Sequence, residues 1–504
     1  MSGLVHVLVI LLPFLAASWD LGDYTCQACR HTLGVAHAAG AKFSDLCDKE
    51  LGAKACSLFF SKDVLASTIS RDDDFCFKHH MCPNNKELPH KDYAEYFTNS
   101  PNVHVTKALG SKGYNKVRVS LVTNSSISPS QFTLPNAYIN QFKYKWTQFY
   151  LATAVVDVVP GEHTSVSVGG QDIKVFVPKE NEGTVGIIIA DPCFQSEWVT
   201  CKYEETWQMF TTLTSVLNAA SSHPDLHYWQ ILGDNFYDQK GDATNTFFDA
   251  LTLETKSRIM LATPGNHDSW VAGDPKLYTT KDQLQHGFFQ YYGQDTVASL
   301  AAPLIPFDFS VNPTLPTTDA QSLPPASNLF TFNKVGNVVM IGFSGAHDYD
   351  AQKQYFEDAC DFISANGADV VLVLGHWNVP GDGCASSAVP DVYKDIQSLP
   401  QCAAYASKFK YFEGHQHCNQ VMEKDVGFML GGMGMGTSAA CGGVFGVPVV
   451  DTTGGRFRVL YFSIFGPDIE GTQNLQATIS CFQDKGVSGC YDLPNVVVWA
   501  DVPL

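Results

Sequence analysis

Five short apolar runs stand out along the chain, at residues 185–190, 228–232, 259–262, 370–374 and 409–412. Three are unbroken, two carry one polar residue each (Gln230 and Lys410), and all are too short for a helix of ordinary length, so each predicts a buried strand. All five run into a polar tip. In chain order the tips are Ile-Ile-Ala-Asp ending at Asp191, Gly-Asp-Asn-Phe-Tyr at 233–237, Gly-Asn-His-Asp at 265–268, Gly-His at 375–376 and Gly-His-Gln-His at 414–417. Ligands bind just beyond the carboxyl ends of strands in open α/β sheets, so five such tips are expected to converge on one site.

The pattern differs upstream. Residues 117–122, 149–159, 165–168 and 172–177 alternate or are β-branched, with Pro160-Gly161 and Gly169-Gly170 as turn signals. They predict a β-rich segment over 87–180, either a small domain or an N-terminal extension of the catalytic sheet. Beyond the last motif, 457–465 and 477–482 read as closing strands, with Cys481 and Cys490 placed to staple that end. The Pro-, Ser- and Thr-rich stretch 303–327 reads as an insertion, an active-site wall or a disordered insert. The glycine-rich stretch 431–446 lacks the lysine and hydroxyl residue of a nucleotide P-loop and reads as a loop near the fifth motif.

The tips supply carboxylate, imidazole, amide carbonyl and phenol, donors suited to divalent and trivalent first-row metals. Two cations about 3.5–4 Å apart can clamp a phosphate, acidify a water and stabilise an in-line displacement. A carboxylate can span such a pair, and a phenol lowered in pKa by a cation suits a ferric ion.

As a set, the motifs resemble the calcineurin-like metallophosphoesterases over roughly residues 181–485, and within them the purple acid phosphatases, because of Tyr237. The resemblance implies an α/β fold: a four-layer sandwich of two β-sheets flanked by helices. It also implies that Asp191, Tyr237 and His417 hold a ferric ion, Fe(III). Asn266, His376 and His415 would hold a divalent iron or zinc, Asp234 would bridge the two metals, and His267 would be the catalytic proton donor. Asp238 and Asp268 adjoin the motifs and are expected to orient backbone or neighbouring histidines, with Trp377 and Asn378 shaping the pocket. The segment Asp191-Pro192-Cys193 departs from the purple acid phosphatase pattern, which has glycine at the third position. Cys193 could ligate a metal as thiolate, pair with Cys201 or line the site.

Composition sets the surroundings. The 504 residues are 45% hydrophobic and only 16% charged, enough for a large core and two or three domains. A net charge of −19 repels nucleic acid and anionic membranes at neutral pH. Phosphate esters remain admissible substrates because bound metals dominate the local field. Residues 1–18 read as a signal peptide, the apolar stretch 4–17 being shorter than the roughly 20 residues a membrane span needs. With fifteen cysteines this points to the secreted or lysosomal/vacuolar lumen. Asn124-Ser125-Ser126 is a glycosylation sequon.

Residues 22–86 carry Cys26, Cys29, Cys47, Cys56, Cys76 and Cys82. Their order resembles a saposin B-type domain, a small disulfide-rich helical module. The likeness would imply the pairs Cys26–Cys82, Cys29–Cys76 and Cys47–Cys56, with either lipid or membrane contact or a capping role. The expected organisation is thus 1–18, 22–86, 87–180 and a catalytic 181–500. The leading expectation is an acid phosphatase acting on phosphomonoesters. The alternatives are a sphingomyelinase-like phosphodiesterase acting on lipid headgroups and a non-catalytic lipid-binding protein.

Overall fold

The computed structural model describes residues 93–110, 113–125, 132, 138–143, 148–194, 208–238, 241–270, 285–297, 326, 329–381, 384–431, 444–465 and 471–504. The signal-peptide segment, the six-cysteine segment and nearly all of 303–327 lie outside the described residues, as does most of 431–446.

The chain enters with β1 (Asn102–Lys107), β2 (Lys116–Thr123), β3 (Tyr138–Lys143) and β4 (Gln148–Asp157), then a hairpin of β5 (His163–Val168) and β6 (Gln171–Phe176). β7 (Val185–Ile189), α1 (Met209–Ser221), β8 (Tyr228–Leu232), α2 (Asp242–Ala250), α3 (Leu253–Lys256), β9 (Ile259–Thr263) and α4 (His286–Tyr292) follow. The second sheet is built from β10 (Thr331–Val335), β11 (Val338–Gly342), β12 (Val370–Leu374), β13 (Phe409–Glu413), β14 (Gln420–Glu423) and β15 (Gly427–Met429). α5 (Tyr349–Asn366) and α6 (Val389–Gln397) cross over between its strands. β16 (Phe445–Asp451), β17 (Arg456–Phe465), α7 (Gly471–Lys485) and β18 (Val496–Pro503) return to the first sheet.

The first sheet has ten strands in the order β18-β17-β16-β7-β8-β9-β1-β2-β4-β3, and the second six in the order β10-β11-β12-β13-β15-β14. β1 pairs in parallel with β9, so the strands upstream of residue 160 continue the sheet that carries the first three motifs. β7, β8 and β9 are parallel in step, with Ile189 opposite Ile231 and Leu232 opposite Thr263. β12 and β13 are likewise parallel, Leu374 facing Phe412. This register levels the five strand ends.

Among the described residues the three large buried cores define four layers. Ile188, Leu232 and Leu261 of the first sheet meet Met340, Leu372 and Phe412 of the second between the sheets. The first sheet's other face packs Ile187, Ile231 and Met260 under Phe210 and Leu213 of α1, Phe247 of α2 and Phe482 of α7. Val371 and Val373 lie under Phe356 and Ile363 of α5 and Val392 of α6 on the far side. Strands with both faces covered are apolar at nearly every position, which explains the runs.

One expected strand is a helix. Residues 477–482 lie within α7, where Leu475, Ile479 and Phe482 recur at helical spacing and pack on the first sheet. A local apolar cluster hid the 3.6-residue period. The Cys481–Cys490 bridge does staple that end, and a second bridge joins Cys360 of α5 to Cys402. Asn124 is exposed just past the end of β2. Among the described residues no helix is long and apolar enough to cross a membrane.

Candidate metal centre

The eight residues singled out by the motifs are brought together where the two sheets' carboxyl ends meet. Asp191, Asp234 and Asn266–His267 follow β7, β8 and β9, while His376 and His415–His417 follow β12 and β13. Asp191, Asp234, Tyr237 and His376 form a buried floor. Asn266, His267, His415 and His417 form a half-buried rim open to solvent.

One group gathers on Asp191. Its Oδ1 lies 3.5 Å from the Tyr237 phenol and 3.6 Å from His417 Nε2, and the phenol is 2.7 Å from that same Nε2. A second group gathers on Asn266, whose amide oxygen lies 3.0 Å from His376 Nε2 and 3.1 Å from His415 Nδ1. Asp234 stands between them. Its Oδ1 is 3.4 Å from His376 Nε2 and accepts the His267 backbone N–H at 2.9 Å, and its charge also acts on Tyr237.

Neighbouring groups fix these orientations. The His376 Nδ1–H donates to the Leu232 carbonyl at 2.8 Å, which aims Nε2 at Asp234 and Asn266. Trp377 is buried beside it, the rings 5.3 Å apart and edge to face. Asp268 accepts from Asn235 N and Nδ2 at 2.9 Å each and from Gly265 N at 2.6 Å, tying the second and third motif loops together. Asp238 accepts from Gly241 N, Thr244 N and Thr244 Oγ1, and so shapes the start of α2. Both aspartates orient backbone, as expected from the motifs.

The backbone is unusual at the same place. Asp191, Asp234, Phe236, Tyr237, His415 and His417 all have positive φ, between 49° and 74°. Left-handed conformations at such residues cost on the order of 1–3 kcal/mol each and persist only when the surroundings enforce them. Close approach is enforced too. A Cβ on Gly265 would stand 2.3 Å from Asp234 Oδ1.

The charges fit a cation. Burial, together with the neighbouring Asp234, raises the Asp191 pKa to about 8 and that of Asp268 to about 7. Burial and the nearby carboxylates push the Tyr237 phenol well above its ordinary value. Burial would lower His376, but Asp234 and Asp191 outweigh it and raise it to about 10. Burial would likewise raise Asp234, but His376 and His267 hold it well below the usual carboxylate range. Positive charge is what this pocket demands, and Asp191, Asp234 and His376 offer ligand atoms within 4.8 Å of one another. With its carbonyl inward, Asn266 turns its oxygen toward His376 Nε2 and His415 Nδ1; the opposite orientation of the amide donates N–H to both rings and to Asp234.

Cys193 is disulfide-bonded and buried, which overturns the option of a thiolate ligand. The motifs themselves did not point to Gly431, whose added Cβ would lie 2.8 Å from His417 Cα and 3.0 Å from Asp191 Oδ2. The glycine-rich composition around it was the only signal.

Residues 187–419 match the calcineurin-like phosphoesterase family, so the chain carries a metallophosphoesterase domain. A purple acid phosphatase from yellow lupin (Lupinus luteus) seeds is similar in structure at 11% identity, covering 73% of this chain and 72% of that one with a TM-score of 0.47. PhoD is similar at 10% identity, covering 74% and 89% with a TM-score of 0.39. No curated protein matches the sequence.

Proposed function

We propose that the chain is an acid phosphatase that hydrolyses phosphomonoesters at a dinuclear centre. The observation that carries this reading is the seat of Tyr237, 2.7 Å from His417 and 3.5 Å from Asp191. Asp191, Tyr237 and His417 would hold Fe(III), and Asn266, His376 and His415 a divalent iron or zinc, with Asp234 shared. Bound there, the two cations would neutralise phosphate charge, acidify a water and stabilise an in-line displacement.

The chain's own residues do the rest. His267 sits on the rim with its ring 4.9 Å from that of Tyr237, and its backbone N–H is fixed on Asp234. From there it would give its proton to the leaving oxygen, the role of a positioned general acid. Trp377 excludes water from behind His376, and Asp268 keeps the Asp234 and Asn266 loops in step.

The bridges at Cys360–Cys402 and Cys481–Cys490 favour an oxidising lumen, in keeping with secretion or a lysosomal location. The same reading retains residues 22–86 as a saposin B-like module ahead of the β-rich segment and the catalytic 181–500.

The test combines metal analysis with assays on an alkyl phosphomonoester, a phosphodiester and sphingomyelin. His267→Ala should leave both metals bound and slow the monoester reaction by roughly 10²–10⁴. Preference for sphingomyelin would replace this reading with that of a lipid phosphodiesterase. Full activity of His267→Ala on the alkyl ester would remove His267 from the mechanism.

A further inference from the structure

Oxidised cysteines flank one half of the centre. Cys193 stands two residues beyond Asp191 and Cys418 directly follows His417; both are buried and disulfide-bonded. The backbone of Cys193 also forms a parallel bridge with that of Phe236, the residue before Tyr237. Phe194 stacks on Phe236 with ring centroids 4.8 Å apart. One cystine-bearing segment therefore fixes the loops of both Asp191 and Tyr237.

The opposite wall is held in a similar way. Asn419, next to Cys418, donates from Nδ2 to the Gly431 carbonyl at 2.5 Å and accepts the Gly431 N–H at 3.2 Å. Gly431 in turn packs on His417 and Asp191 so closely that no side chain fits there. Asp191, Tyr237 and His417 each have φ near 53°, a backbone state that lasts only where the surroundings hold it.

The other half is anchored differently. Neither Asn266 nor His376 has a positive φ or a cysteine within two residues; His415, with φ 74° and its N–H on Asp191 Oδ2 at 3.1 Å, is the one member of this half that shares a loop with the first. The Asn266 loop is held by Asp268 through Gly265, and His376 by the Leu232 carbonyl.

We propose that the cystines through Cys193 and Cys418 position the Asp191–Tyr237–His417 half of the centre, so that this half takes its metal in the oxidised chain and loses it on reduction. The Asn266–His376–His415 half keeps its affinity. This rests on the two-metal reading above. Opening either cystine with a trialkylphosphine forms two thiols. The phosphine gives two electrons and becomes its oxide, and water supplies the oxygen and both protons.

The experiment uses the full chain, stripped of metal, with zinc ions as a redox-silent probe titrated against a chromophoric chelator. The oxidised protein should bind two zinc ions. Phosphine treatment, Cys193→Ala or Cys418→Ala should weaken one of them by roughly 10–100-fold, the usual effect of losing a group that supports a ligand. The other should be unchanged. Opening Cys193 should cost nothing further in a His417→Ala background, yet strip the remaining ion in a His376→Ala background. A Cys481→Ala/Cys490→Ala double variant, which removes a remote bridge, should bind both ions normally. If the single variants do not fold, graded phosphine reduction with mass-spectrometric mapping of the opened bridges gives the same comparison. Unchanged affinities, or an equal loss of both ions, would overturn the inference while leaving the two-metal reading in place. Fewer than two zinc ions on the oxidised protein would overturn both.

Discussion

Tyr237 and His417 follow strands of different sheets, yet the phenolic oxygen of one lies 2.7 Å from Nε2 of the other. Tyr237 is buried at the floor, where its pKa is pushed far up by burial and by Asp191 and Asp234. A phenol in that position gains most from a cation that stabilises its anion.

Tyr237→Phe should therefore keep the ring in its packing and remove only the donor oxygen. With iron bound and oxidised, the native protein is expected to be pink to purple through charge transfer from phenolate to ferric ion. The variant should be colourless, with some hydrolysis left. Absorption spectra taken with metal quantification decide the matter: a visible band that survives in the variant would rule out Tyr237 as the ferric ligand.

Asp268→Ala should disconnect the second and third motif loops. Three buried donors, Asn235 N, Asn235 Nδ2 and Gly265 N, would lose their acceptor. Each unsatisfied buried group costs about 1–3 kcal/mol, so a lower melting temperature should accompany a fall of roughly 10–100-fold in metal affinity. Calorimetry and chelator competition on the same sample would show whether the two effects travel together.

Gly265→Ala and Gly367→Ala make an informative pair. The Cβ of the first would stand 2.3 Å from Asp234 Oδ1 and 2.6 Å from Asp234 N, whereas that of the second meets nothing within 4 Å although its φ is 68°. The first should abolish metal binding. The second should leave the site untouched and cost on the order of 1–3 kcal/mol of stability, because φ 68° with ψ 159° is a backbone state that hardly any residue but glycine adopts. Equal metal content in the two variants would contradict this account of the third motif's glycine.

Glu413 gives a pH prediction outside the centre's own titrations. It ends β13 fully buried, neither carboxylate oxygen has a hydrogen-bond partner, and burial raises its pKa to about 8. In the unfolded chain it titrates near 4.3. The native state therefore holds the proton more tightly, and the group's contribution to stability falls as pH rises from about 4.3 through 8. Glu413→Gln should melt like the wild type near pH 4 and at a higher temperature at pH 8. Melting curves across that range check the sign.

The five strand ends and their polar tips were legible because each tip is contiguous with its strand. A strand covered on both faces is apolar at nearly every position, and the polar turn follows it directly. β8 and β12 fall at 228–232 and 370–374, the limits of their apolar runs, and β7, β9 and β13 differ from theirs by a single residue. Local reading failed at α7, where 477–482 holds only Ile479 and Phe482 of the helical stripe, too short a window to show its period.

Tertiary structure alone decided the rest, since it depends on which distant segments meet. Cys360 pairs with Cys402 across 42 residues. His376 donates to a carbonyl 144 residues earlier. Gly431 closes on Asp191, and Asp268 reaches back to Asn235. None of these contacts leaves a period or spacing in the chain, because the packing of two sheets selects them rather than any local preference. The left-handed backbone at Asp191, Tyr237 and His417 has the same origin: only enclosing structure holds such residues there. Sequence by itself determined which polar side chains end the strands, and the meeting of the two sheets determined which of them come within reach of one another.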